Sequence, residues 1–568
     1  MLPTREEAIN SERLMRIICI GAGPSGLCFA YKLQRSFRQF SFTIYEKNAD
    51  VSGTWFENTY PGCACDIPAH NYTYTFEPKH DWSNTYAFAS EIKQYYHDFS
   101  QKYDLNKYIR TLHKVTNAQW LEQEGEWKVR VEDLTLRCSL EVKCDILINA
   151  GGYLNHWEWP PIPGIEGFKG ALMHSANWNS EVELRDRKVA LIGNGSSAVQ
   201  ILPAIQPLAE ELINFVRSPN WILPDVGEKQ RAYTLEEIDE FDRDPSSLTS
   251  KRKATEASLN SYFEVYLQNS PLQVETRSKM IDFMKFSLRN EELEKAMIPS
   301  FSVGCRRLTP GSAYLEALGK ANVRVVHQKI IEVTKNGCRW ENGGESLFDV
   351  LICATGFDTS YRPRYPIIGL DNVNLQDAWA SKPTSYLGIA ATGFPNFFLL
   401  LGPHSPIGNG PLLRALEAQI DHILMLLDRW QTENIYFMSP KADAVEDFMA
   451  HTAEFMSQTV WMESCRSGYK NHRAHGQVPT LWPGSSLHCV EALASTRADD
   501  WDIRYKGNRF AWLGNGLSQT ELDETSDLAY YVKDHDDSPY LSRGRRREVL
   551  TGSGKQKPRK LHEVYRPT

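Results

Sequence analysis

Gly21-Ala22-Gly23-Pro24-Ser25-Gly26 decides how this chain folds. The hexapeptide follows a short apolar run, Met15-Arg16-Ile17-Ile18-Cys19-Ile20, which reads as a buried parallel strand. An apolar helical pattern then continues through Leu33. Gly21 permits the tight turn, Gly23 lets the backbone approach a pyrophosphate, and Gly26 lets helix pack on strand. The helix N-terminus aims unpaired N–H groups at the phosphates. A second strand, Phe42-Thr43-Ile44-Tyr45, runs into Glu46, 20 residues after Gly26. A carboxylate there accepts hydrogen bonds from a ribose 2′-hydroxyl and repels a 2′-phosphate. Strand, glycines, helix and acid together predict a dinucleotide-binding unit at the N-terminus.

The pattern recurs. Lys188-Val189-Ala190-Leu191-Ile192 is another buried strand, and Gly193-Asn194-Gly195-Ser196-Ser197-Ala198 follows it, with Ala at the third small position. The next strand, Leu212 to Val216, ends in Arg217-Ser218 instead of an acid. An arginine fork suits a 2′-phosphate, so the second site should take NADPH, whereas Glu46 suits the adenosine ribose of FAD. Between the two, alternating apolar runs from about Leu112 to Ala150 predict a small antiparallel sheet. Asp145 to Gly152 returns to the first unit, and Pro160, Pro161 and Pro163 mark a boundary. Apolar residues at helical intervals in the charged stretch from Glu228 to Ala296 predict a helical insertion. Pro411 to Trp430 reads as a long helix, and Trp461 to Trp482 as loop.

Composition narrows the class. A chain of 568 residues predicts roughly three or four domain-sized units. Its formal net charge of -8 gives no reason to expect nucleic acid or an anionic membrane as partner. No apolar run reaches the ~18 residues needed to span a bilayer, and the polar start is no secretory signal. Eleven unevenly spaced cysteines suggest reduced thiols in the cytoplasm, not a disulfide frame. Cys63-Ala64-Cys65 has the wrong spacing for a zinc knuckle, and no metal site is expected. The basic tail from Leu541, with Arg545-Arg546-Arg547, is expected to be disordered.

Three further stretches carry a resemblance. The first is Phe168-Lys169-Gly170-Ala171-Leu172-Met173-His174-Ser175-Ala176-Asn177-Trp178, followed by Asn179. The second is Gly53-Thr54-Trp55-Phe56-Glu57-Asn58-Thr59-Tyr60-Pro61-Gly62 with Asp66, and the third is Gly304-Cys305-Arg306-Arg307-Leu308. Taken alone they read as a packed linker, a turn-rich loop and a solvated basic pair. Together, in order along a chain with two nucleotide sites, they resemble the signatures of type I Baeyer–Villiger monooxygenases, and Gly304 to Leu315 with Leu481-Trp482-Pro483-Gly484-Ser485 look like fungal members that tailor secondary metabolites.

The resemblance implies roles. Thr54, Trp55, Phe56, Glu57, Ile67 and Tyr72 would line FAD, with Asp66 beside its reactive ring. Arg307 would be the catalytic arginine, with Arg306 near the NADP 2′-phosphate. Phe168, Gly170, His174 and Trp178 would form the interdomain fingerprint, His174 linking domain motions. NADPH would reduce FAD, O2 would add to give a C4a-peroxyflavin, and attack on a small-molecule ketone would give an ester or lactone. Relatives often carry a lid tryptophan where this chain has Ser467-Gly468-Tyr469, which puts that role in doubt.

The expected architecture is α/β, with two Rossmann-like dinucleotide-binding domains, the FAD domain discontinuous, plus the helical insertion. Residues 1–152 form the first part of the FAD domain, and 153–348 the NADP domain with its insertion at about 226–299. Residues 349–540 complete the FAD domain with a substrate and lid region, and 541–568 are tail. A cytoplasmic monomer is expected. An N- or S-oxygenating flavin monooxygenase is the alternative, but it should lack the Trp55–Asp66 loop pattern and Arg307. A flavin disulfide oxidoreductase would need a redox Cys-x-x-Cys near the flavin, and a non-catalytic scaffold would not explain Arg307 with Asp66.

Overall fold

Each nucleotide fingerprint follows the central strand of its own five-stranded parallel sheet. The structure is a computed structural model that describes residues 7–536 and 542. The basic tail therefore lies outside the described residues apart from Ser542.

In the first sheet Met15–Ile20 pairs in parallel with Phe40–Tyr45 on one side and Ile146–Asn149 on the other. Ile109–Arg110 and Phe397–Leu399 complete the two edges. One sheet thus draws strands from distant parts of the chain, which is the predicted discontinuity. The second sheet runs in the order Val323–Val326, Glu211–Phe215, Lys188–Ile192, Val350–Cys353, Ala171–His174, all parallel. Its strands are nearly continuous apolar runs because helices cover them. Pro24–Ser36 buries Leu27, Phe29 and Leu33 in the core of the first sheet, each contributing ~1.5–3 kcal/mol. Ser196–Ile205 likewise buries Val199, Ile201 and Leu202 in that of the second.

The predicted antiparallel sheet is present as His113–Leu121, Glu126–Asp133 and Cys138–Cys144, with Ile367–Ile368 added in parallel. The insertion consists of the helices Leu235–Arg243, Pro245–Ser261, Pro271–Leu288 and Glu291–Met297. Their starts are written locally. Thr234 and Glu237 form a reciprocal capping box, and Asp244, Ser270 and Asn290 cap the other three. Arg252 fastens this insertion to the 70–74 loop through His70 O at 3.0 Å, Thr73 Oγ1 at 3.1 Å and Tyr74 O at 3.1 Å. The long helix is Leu412–Thr432, and Ile435–Pro440 pairs antiparallel with Trp501–Tyr505.

A second, small unit joins the described N-terminal residues to the 507–536 segment. Within it Asn515 N donates to Glu7 O at 3.0 Å and Asn10 N to Trp512 O at 2.9 Å. Among the described residues no helix is long and apolar enough to cross a membrane.

The cysteines depart from the expectation of a fully reduced set. Cys305 and Cys465 form a disulfide, and the other nine are free. The two are separated by 160 positions, and spacing over that distance carries no information about proximity. Tertiary packing brings them together, for Ser302 N donates to Glu463 Oε2 at 2.9 Å just beside the bridge.

Candidate active site

The two fingerprints make the same turn. Gly21 has φ +102° and Gly193 φ +122°, the left-handed region that only glycine enters cheaply. A Cβ at Gly21 would stand 2.7 Å from Ala150 O, and one at Gly193 would collide with Ala354 O. Each turn therefore nests against the segment that leaves its sheet for the other. Neither following helix has a side-chain cap, in contrast to the insertion helices. A Cβ at Gly195 would meet nothing within 4 Å, and one at Gly23 only Gly53 Cα and N, at 3.5 and 3.9 Å. An open cradle in front of an uncapped helix end fits a pyrophosphate at both places.

Glu46 is buried beside the first cradle. Its Oε2 accepts from Ala22 N and its Oε1 from Asn48 N, both at 2.8 Å. Each oxygen keeps a lone pair for a ribose hydroxyl. Burial raises the carboxyl above its ordinary range, partly offset by these two N–H groups. Thr54–Glu57 form one short helical turn. Within it Thr54 is exposed and Trp55 and Phe56 are half-buried, with Trp55 edge-on to Tyr72 at 5.2 Å. Glu57 turns away, to Lys47 at 2.8 Å and Asn48 Nδ2 at 3.0 Å.

The loop then fastens to the second fingerprint's helix. Tyr60 Oη donates to Gln200 Oε1, and Gln200 Nε2 donates to Ala64 O, both at 2.9 Å. These bonds deliver Asp66 and Ile67 to the seam between the sheets. There Arg307 meets Asp66 across 241 residues of sequence, its Nε 3.2 Å and its Nη2 2.5 Å from Oδ2. The negative charge of Asp66 raises the proton affinity of Arg307 by more than burial lowers it. Four phenols, Tyr72, Tyr153, Tyr266 and Tyr469, surround this charge, and burial holds all four protonated. From the sequence, Tyr72 is expected only along the flavin, and none of the four is expected around Arg307. Tyr469 stands beside the anomalous Gly468, which is the one signal that marked it. Gly468–Lys470 is a short turn in which Tyr469 and Lys470 are buried.

Behind Arg307 lies a second cationic group. Arg306 Nη2 donates to Ser218 Oγ at 2.8 Å and its Nη1 to Pro219 O at 3.0 Å. Asn194 Nδ2 donates to Ser218 O at 2.9 Å, and Ser196 shares a 2.8 Å hydrogen bond with Thr309 Oγ1. Ser197, half-buried at the same helix start, adjoins Tyr60 Oη. Arg217 is exposed at the end of its strand. Burial first, then the charges of Arg217 and Arg466, bring Arg306 down to about 10.

The interdomain fingerprint divides in two. His174 is fully buried and stacks on Trp157 at 4.6 Å. Its Nδ1 accepts from Ala176 N at 3.1 Å, so Nε2 carries the proton and donates to Thr355 Oγ1 at 3.2 Å. Burial lowers its pKa to about 4, which keeps the ring neutral. Trp157 lies on the first crossing between the sheets and Thr355 on the second, so one imidazole touches both. Phe168, Gly170 and Trp178 serve packing. Phe168 meets Phe348 at 5.4 Å, a Cβ on Gly170 would collide with Asp349 O, and Trp178 packs on the second core.

Two dinucleotide cradles meeting at an arginine–carboxylate pair define a two-nucleotide redox enzyme. A family model for NAD(P)-binding Rossmann-like domains matches residues 19–88. The chain is 38% identical over 517 residues to the FAD-binding monooxygenase moxY of Dothistroma septosporum, spanning 89% of this chain and 82% of that protein. It is 31% identical over 474 residues to a Baeyer–Villiger monooxygenase of Pseudomonas aeruginosa, spanning 83% and 88%. Its fold matches the crystal structure of cyclohexanone monooxygenase from Rhodococcus sp. Phi1 bound to NADP+, with a TM-score of 0.76 at 25% identity. That match covers 87% of this chain and 100% of the other. The chain belongs to the family of FAD-binding, Baeyer–Villiger-type monooxygenases and is a flavin-dependent enzyme.

Proposed function

We propose that this chain is an FAD- and NADPH-dependent Baeyer–Villiger monooxygenase that inserts one oxygen atom of O2 beside a ketone carbonyl, giving an ester or lactone. The observation that carries the reading is the grip of Arg307 on Asp66 at the seam of the two cradles. Bound FAD, once reduced by NADPH, supplies the reaction with O2 that no side chain can provide.

The chain's own residues do the rest. Glu46 holds the FAD ribose, and the uncapped helix ends after Gly23 and Gly195 receive the two pyrophosphates. Thr54, Trp55, Phe56, Ile67 and Tyr72 lie along the flavin, and Glu57 steadies that turn through Lys47 and Asn48. Arg217, Ser218 and Arg306 take the 2′-phosphate, with Asn194, Ser196 and Ser197 shaping the loop. Two of the five N–H groups of Arg307 point to Asp66 Oδ2, which leaves three to face the reacting oxygens. A fixed, permanently charged donor fork stabilises negative charge as it develops on the ketone oxygen. Asp66 sets the direction of that fork. The protonated phenols of Tyr153, Tyr266 and Tyr469 wall the site and limit water. His174 couples the two crossings.

On this reading residues 1–152 and 349–540 form the FAD-binding part and 153–348 the NADP-binding part, with an insertion at about 226–299. The product would be a tailored fungal polyketide or terpenoid, made in the cytoplasm by a monomer. The test is a panel of ketones with NADPH under 18O2, analysed by mass spectrometry. The expected product is an ester or lactone with one labelled oxygen in the ring or chain. Oxygenation of amines or sulfides alone, with every ketone recovered unchanged, would favour the N- or S-oxygenating class and sink the proposal.

A further inference from the structure

The loop after Trp461 brings a third arginine to the region of Arg306 and Arg217, beyond the residues assigned above. Lys470 organises this loop from within. It is buried, and its Nζ donates to Glu463 O at 2.6 Å and Ala474 O at 3.0 Å. Glu463 in turn accepts from Ser302 N, and the Cys305–Cys465 disulfide locks the two segments with Cα atoms 6.5 Å apart. The residue next to each bridging cysteine is an arginine, Arg306 on one side and Arg466 on the other. Arg466 is exposed. Its charge is felt by both Arg306 and Arg217. Among the described residues none of the three has a carboxylate partner at ion-pair distance, although their neighbour Arg307 does, in Asp66. The bond sets the backbones of Arg306 and Arg466 close together, and like charges so placed repel one another unless an anion sits among them. Arg217 stands where a 2′-phosphate belongs, and Ser218 ties Arg306 to the same spot.

We propose that Arg466 is a third arginine of the site for the NADPH 2′-phosphate, delivered from the 463–475 loop and held in place by the Cys305–Cys465 bond. The inference rests on the NADPH reading above. It makes cofactor preference a property of two separate parts of the chain, the end of the Glu211–Phe215 strand and a loop 250 residues later. The same loop carries Tyr469, whose hydroxyl lies in the field of Arg307. The dianionic phosphate thus anchors a segment that also borders the catalytic arginine.

The experiment uses the flavin-loaded full chain. KM and kcat are measured with NADPH and NADH, and dissociation constants with adenosine 2′,5′-bisphosphate and ADP. The variants are R466Q, R466K, R217Q and C465S. R466Q is expected to raise the NADPH KM ~10–100-fold more than the NADH KM and to weaken the bisphosphate by a similar factor, with little change in kcat. R466K should recover part of the loss, and C465S should reproduce part of it. If R217Q discriminates between the two nucleotides while R466Q and R466K treat them alike, the inference falls and the NADPH reading stands. If neither R217Q nor R466Q discriminates, both fall. A C465S enzyme with the parent's nucleotide preference would remove the disulfide from the proposal.

Discussion

Replacing Asp66 by Asn keeps the shape of the side chain and removes its charge. The magnitude follows from the geometry. At N–O separations of 2.5 and 3.2 Å, two unit charges in an effective dielectric of about 20 attract by ~5 kcal/mol. The Arg307 side chain is 47% exposed and that of Asp66 21%, so screening and the cost of dehydration reduce the net coupling to ~1–3 kcal/mol. If that coupling holds Arg307 on the reacting oxygens, D66N should slow ester formation ~5–150-fold while NADPH oxidation persists. The assay is a double-mutant cycle with R307K, which retains charge but loses the fork. NADPH consumption and ester yield are read separately on one ketone found in the 18O2 panel. Asp66 acting through Arg307 predicts that D66N has little further effect once Arg307 is Lys. Independent, multiplying losses, or a D66N enzyme within twofold of the parent, would refute the reasoning.

Arg307→Ala should still bind FAD and consume NADPH but release hydrogen peroxide in place of product; ester formation near the parent rate would refute its assignment. Arg217→Ala should raise the NADPH KM ~10-fold or more beyond any change with NADH. Gly26→Val should yield a colourless protein, because a Cβ there runs into Gly21 O and forces helix from strand; flavin absorbance of the purified variant decides it. His174 has a folded pKa of about 4 against 6.5 unfolded, so the unfolded chain binds the extra proton between those values. Stability is therefore unaffected by His174 above about pH 6.5 and falls as pH drops towards 4, by ~2 kcal/mol at pH 5. His174→Gln should flatten that part of the denaturation profile, and an unchanged slope between pH 7 and 5 would contradict the buried neutral ring.

What the sequence made legible was what is local. Gly21 and Gly193 are required by turns that span a few residues, and Glu46 and Arg217 follow their strands at fixed distances. The insertion reads as helical from its apolar spacing alone, and its caps Thr234, Ser270 and Asn290 are seen only in the structure. The pair Arg307 and Asp66 was reached only through a family resemblance, since nothing in either neighbourhood points to the other. Tyr153, Tyr266 and Arg466 were missed because their significance depends on loops folding back from far along the chain. The disulfide was misjudged for that reason: Cys305 and Cys465 look like two ordinary thiols until Glu463 is seen receiving Ser302 N. The composition argument for reduced cysteines was an average, and this pair departs from it.

His174 has a mechanical consequence. Two separate linkers between bodies would permit bending, twisting and sliding in any combination. Here the linkers are riveted to each other by one ring, stacked on Trp157 and bonded to Thr355. On the proposed reading, a rivet of that kind would tie the displacement of one linker to that of the other, so loosening the ring at Trp157 or at Thr355 would be felt at both cradles.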